Sequence, residues 1–314
     1  MLEIRVESAP SLRELRRRLA SIRGLTAASW SPPSSQGRLE EARIVPAELI
    51  ERPLLARAVG AAEAWPDPVA FLDGVERSEV VAYAGAAPLL MAEIAAAVRE
   101  RKDRQARTVI VERRRLAVGR PEVLEHAGAA LEGMTTIALE TSEPAHPLRD
   151  VDLARAQVDR ARGELERRVG DAYRRRCDGW LVVDGSLAES PSWAADTHMI
   201  GVAKSHATLP FEGNELVTYL ELPVGSRSSV FQPGSRQRAP VYAWGLRLWD
   251  WTGKDLLYGL VRLEAAARAE TLALVDQLSR WVMAERAPIS ADARWDRLLY
   301  GVHSVEQFLK ASRV

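Results

Sequence analysis

Two short runs constrain this chain more than anything else in it: "VAFLDG", residues 69–74, and "WLVVDG", residues 180–185. Each places four apolar residues in unbroken succession, and a run without polar alternation reads as a strand buried on both faces of a sheet. Such strands occupy the middle of α/β sheets, flanked by helices. Each run then ends on an acid, Asp73 or Asp184, with glycine directly behind it. Strand ends are where α/β proteins build their sites, and a glycine beside the acid allows another group to approach closely. If the two strands are neighbours, two carboxylates converge, and such a pair ionises fully only with a cation between them. Hard divalent ions, magnesium or manganese, suit carboxylate oxygen. The alternative for either acid alone is a simple Asp-Gly turn closing a strand.

The remaining pattern describes one mixed α/β domain over residues 61–314, preceded by an N-terminal extension, residues 1–60. In the extension, Ser11 caps a helix across "SLRELRRRLASIRG", whose stripe of Leu15, Leu19 and Ile22 suits a partner, a second copy, or the domain itself. "PAELIERPLLARAVGAAEAW" reads as helical. "VAFLDG" and "RSEVVAYAG" read as two strands, and "PLLMAEIAAAVRERKD" as a helix or a strand running into one. "RTVIVERRRLAV" and "TTIALET" continue the sheet. A long helix over 150–176 follows, with Val158, Ala161, Leu165, Val169 and Ala172 on its apolar face. "HMIGVAKSH", "ELVTYLELPVG", "PVYAWGLRLWDW" and "LLYGLVRLEAA" read as further strands, and two helices close the chain.

Composition narrows the function classes. The 43 basic and 43 acidic residues balance, which argues against a protein that coats nucleic acid through bulk charge. A local basic groove is still compatible: the Gly/Ser loop "GSRSSVFQPGSRQR" carries Arg227, Arg236 and Arg238, suited to phosphate-backbone contact. The single cysteine, Cys177, rules out an intrachain disulfide and a Cys-based zinc site. No apolar stretch is long enough to span a bilayer. A soluble cytoplasmic protein with no membrane partner is therefore expected. There is no GxxxxGK[ST] pattern, so the chain is not read as a P-loop ATPase.

The ordered set "VAFLDGVERSEVVAY", "WLVVDGSLAES", "MIGVAKSH", "YGLVRLEAA" and "RLLYGVHSVEQFL", spanning 68–309, resembles the NurA nuclease family. The first motif departs from it, reading "DGVER" where "DGS" is usual. The resemblance implies an RNase H-like mixed sheet flanked by helices and a manganese- or magnesium-dependent DNA nuclease. It also implies a homodimer docked on a HerA-like hexameric ATPase, in DNA end processing or phage defence. Carried over, it makes Asp73 and Asp184 metal ligands and adds a glutamate from the long helix. Periodicity alone leaves that glutamate as Glu164 or Glu166, with Glu164 preferred. His303 falls on the family's C-terminal histidine, as a ligand or proton shuttle, and Lys204 on a lysine that contacts phosphate. The inactive counterpart, a DNA-guiding adaptor of the same motor, is the alternative.

Overall fold

The computed structural model describes residues 4–5, 10–27, 43–206, 208–234, 239–252, 256–287 and 295–312. Its centre is a mixed sheet with helices on both faces, as the sequence pattern requires. Three long strands open it: β1 (Val69–Ala84), β2 (Ala87–Lys102) and β3 (Gln105–Gly119), joined as antiparallel hairpins. Asp103 and Arg104, with φ of 51° and 62°, make the second hairpin's two-residue turn in the left-handed region such turns demand. β4 (Trp180–Asp184) lies parallel to β1, and β5 (Met199–Ala203) parallel to β4. β6 (Val241–Arg247) and β7 (Leu260–Ala266) continue the path, giving the central order β3-β2-β1-β4-β5-β7-β6.

Helix α1 (Leu12–Ala20) packs on the β1–β2 hairpin. Leu15 and Leu19 are fully buried there, so the N-terminal stripe serves the domain and those two residues offer nothing to a partner. Helix α2 (Pro147–Arg174) covers one sheet face, burying Val158, Leu165 and Val169 as its periodicity predicted. His146 starts it, its Nδ1 accepting from the N–H groups of Leu148 and Arg149 at 3.3 and 3.2 Å. Helices α4 (Ala269–Ala284) and α5 (Tyr300–Ala311) cover the opposite face, where Phe71, Val182 and Ile200 meet Val302 and Val305. A Cβ on Gly301 would lie 2.3 Å from the Phe71 ring, so α5 crosses β1 closely only because that residue is glycine.

Several expected elements fold differently: "VAFLDG" and "RSEVVAYAG" form the single strand β1, and the expected loop from Gly225 holds strands Ser226–Ser228 and Phe231–Gln232. "PAELIERPLLARAVGAAEAW" is not a helix: Pro53 has no N–H to give and restricts Arg52 before it. The segment instead adds strands Glu48–Leu49 and Ala56–Ala58 to the sheet. The alanine-rich run after Pro88 is all strand, because β1 and β3 hydrogen-bond it from both sides and override its helix propensity. "ELVTYLELPVG" is in part helix, α3 (Gly213–Leu220), with Tyr219 buried on one side. The extension also joins the main sheet, since Ile4–Arg5 pairs with β3 and Ala56–Ala58 with Ser226–Ser228.

Candidate active site

Asp73 and Asp184 become neighbours through strand register. Leu72 on β1 is the partner of Val183 on β4, so the next residue on each strand is the acid. Adjacent strands lie about 4.8 Å apart, and alternation sends both side chains to the same face, the one carrying Phe71 and Val182. That face looks toward α5. β4 ends at Asp184 while β1 runs on, so a gap opens in the sheet beside Gly74.

A third acid enters from the other face. Glu166 of α2 is 9% exposed and lies against Gly74, where a Cβ would sit 2.1 Å from its Oε1. The glycine behind Asp73 is thus the space that Glu166 occupies. Glu164, the expected helix ligand, is exposed to solvent instead. Helix geometry separates the two glutamates: Arg162, Glu166 and Gly170 form one i, i+4 line toward the sheet, while Glu164 lies about 160° around the helix from Glu166. Gly170 marks how closely this line approaches the sheet, because Trp193 and Leu72 come within 2.6 and 3.1 Å of where its Cβ would be.

The electrostatics follow from this crowding. Burial foremost, then the charges of Asp184 and Glu166, raise Asp73 well above the ordinary carboxylate value, against the opposing pull of Lys204. Burial also raises Glu166, partly offset by Arg162. Lys204, just beyond β5, places Nζ 2.8 Å from Asp184 Oδ2. Arg162 pairs with Glu166 and with Asp159 at 2.6 Å. The loop after Asp184 is fixed by Glu264, 1% exposed, which accepts from Ser186 Oγ at 2.7 Å and the Leu187 N–H at 2.9 Å. Glu264 also pairs with Arg262 at 3.0 Å, so it anchors the loop.

A cleft of about 420 Å³ opens above the two aspartates and is walled by Lys204, Arg297, Val302 and Glu306. A second, of about 310 Å³, shares Asp184 and is walled by Arg162, Glu166 and Trp193. His303 does not line the first cleft; its Nδ1 lies 3.5 Å from Glu306, and Glu306 is the acid that α5 presents. Arg227 is 4% exposed and paired with Glu51 at 2.6 Å and Asp276 at 2.5 Å, so its donors are spent inside the fold rather than offered to a nucleic acid. Arg236 and Arg238 lie outside the described residues.

The donor set suits a hard divalent ion that keeps water and shares a substrate's phosphate. Among the described residues no three His, Cys, Asp or Glu side chains form a ready-made metal cage. Magnesium-type sites commonly use only one or two carboxylates and complete the shell with water and phosphate. Asp73 and Asp184 fit that pattern, and a cation between them would offset both the burial and the mutual repulsion that raise Asp73.

No helix among the described residues is long and apolar enough to cross a membrane. No protein-family model matches the chain, and no curated protein does. Among solved structures, the NurA nuclease from Sulfolobus solfataricus is similar, with a TM-score of 0.49 and 7% sequence identity over 81% of each chain. At that identity and TM-score the likeness gives no residue a role.

Proposed function

We propose that the chain is a divalent-metal-dependent nuclease that hydrolyses phosphodiester bonds in DNA. The observation that carries this reading is the register that sets Asp73 and Asp184 side by side, one residue beyond the Leu72–Val183 pair, with Glu166 packed against the neighbouring Gly74. The motif order along the sequence supports it independently. Manganese or magnesium, when bound, would supply Lewis-acid polarisation of the phosphoryl oxygen and a more acidic water. Asp73 and Asp184, which line one cleft, would hold the cation, and Glu166, which lines the second cleft with Asp184, would add to the anionic side. Lys204, now paired with Asp184 at 2.8 Å, would compete with a cation for that carboxylate and could instead contact a phosphate. His303 acts on the cleft through Glu306 rather than directly.

The partners in the proposal, a HerA-like ATPase and a second copy of the chain, rest on the motif resemblance. The absence of a P-loop pattern in the sequence means that any translocation would draw on a partner's ATP. One observation favours the second reading, an inactive adaptor: Lys204 and Arg162 already pair with Asp184 and Glu166. Manganese-dependent degradation of linear DNA separates the two. Wild type should degrade the DNA, and Asp73→Ala and Asp184→Ala should lose activity by several orders of magnitude. Intact DNA with wild type, even alongside its motor, would establish the adaptor.

A further inference from the structure

The cleft's cationic wall contains a residue that the chemistry above leaves unused. Arg297 closes the short helical turn Trp295–Arg297 and faces the same space as Asp73, Asp184 and Lys204. Its setting is built from buried parts. Asp296, whose side chain is 3% exposed, accepts from the Gly259 N–H at 2.6 Å and from Arg297 Nε at 3.2 Å. Gly259 has φ of +66°, and a Cβ there would lie 2.8 Å from the Trp249 backbone, so its N–H reaches Asp296 from a position that favours glycine. Arg297 Nη1 donates to the Lys204 carbonyl at 3.1 Å. One guanidinium thus ties a buried carboxylate to the backbone of the lysine whose ammonium grips Asp184.

A plain ion pair that merely neutralises Asp296 would account for the Nε contact alone. It accounts for neither the second bond to the Lys204 carbonyl nor the guanidinium's place on the cleft wall, where 26% of the side chain stays exposed. Two bonds engage two of the five N–H donors that a guanidinium carries. The planar fork that results is held rigid, and a rigid fork matches phosphate oxygens better than a lysine ammonium can.

We propose that Arg297 is a phosphate-binding residue that clamps a backbone phosphate of the nucleic acid beside Asp73 and Asp184, with Asp296 positioning it. The identity of the ligand as DNA rests on the nuclease reading; the clamp itself rests on the geometry. The test uses the full chain with calcium in place of manganese, so that binding is read without turnover. Short single-stranded DNA oligonucleotides, each with one phosphate replaced by a neutral methylphosphonate, are titrated by fluorescence anisotropy. Neutralising the clamped linkage should weaken wild-type binding about tenfold, the scale of a hydrogen bond to a charged group. Arg297→Ala should weaken binding of the all-phosphate strand about as much and become indifferent to that linkage. Arg297→Lys, which keeps the charge and loses the fork, should fall between, and it decides the question if the alanine variant does not fold. Losses that multiply at every linkage, or variants that bind as wild type does, overturn the clamp. Coupled losses in a chain that never cuts DNA would sink the nuclease reading alone; cleavage with independent losses would sink the clamp alone.

Discussion

Helix α2 carries two buried acids in opposite electrostatic states. Asp150, in its first turn, is fully buried and held by Arg120 through Nε at 2.6 Å and Nη2 at 3.2 Å. That pairing outweighs burial and keeps its carboxyl below the ordinary range. Glu166, some four turns on, has Arg162 beside it, yet burial and the charge of Asp184 still leave it raised. Asp73 across from it is raised further. Asp150 is neutralised by the fold and holds the fold together. In the Asp73–Asp184–Glu166 group, Lys204 and Arg162 pair with Asp184 and Glu166, yet burial and mutual repulsion still leave Asp73 and Glu166 raised.

Removing each side of this contrast should have opposite consequences. Asp150→Asn removes the counter-charge that Arg120 binds through two hydrogen bonds and should lower stability measurably in chemical denaturation. A loss below about 1 kcal/mol would place Asp150 with the weak surface pairs. His206 extends the comparison to a base. Burial lowers it from 6.5 to about 4, and its ring donates to the Leu260 carbonyl at 2.9 Å. Between those values the unfolded chain binds the extra proton, so stability rises with pH across that window. Acidification from 6.5 to about 4 should remove roughly 3 kcal/mol through this residue, at about 1.4 kcal/mol per unit, and His206→Gln should flatten that part of the curve.

Asp73→Asn should do the reverse of Asp150→Asn. A raised carboxyl favours folding while protonated and costs stability as pH rises through its folded value, so the neutral amide should stabilise the metal-free protein at pH 7, on the order of 1 kcal/mol. A destabilised variant would mean that Asp73 is held like Asp150. The smallest contrast is within one helix turn. Glu166→Gln should sharply reduce manganese-dependent cleavage of DNA, and Glu164→Gln should leave it unchanged within about twofold. The opposite ranking would return the role to Glu164.

Much of this site was legible before folding because it depends on strand chemistry. Unbroken apolar runs locate central strands, and Asp184 does end its strand; Asp73 does not, because β1 continues to Ala84. What was not legible depends on what lies across from a residue. Glu164 and Glu166 flank the same apolar stripe, and only the gap opened where β4 stops selects Glu166. The "AEIAAAV" stretch is helical by propensity and becomes strand through pairing on both edges. Arg227 looked like a loop arginine because Glu51 and Asp276 are 176 and 49 residues away along the chain. Glu306 was overshadowed by His303, three residues before it on α5, although the cleft meets the glutamate.

In the proposed site, Asp73 and Asp184 would hold one cation between them. Anomalous diffraction at the manganese edge, from crystals soaked in manganese chloride, reads this directly. A peak within coordination distance of both carboxylates, with Lys204 Nζ displaced from Asp184, is the predicted result. No peak there at saturating manganese, with the Lys204–Asp184 pair intact, would contradict it.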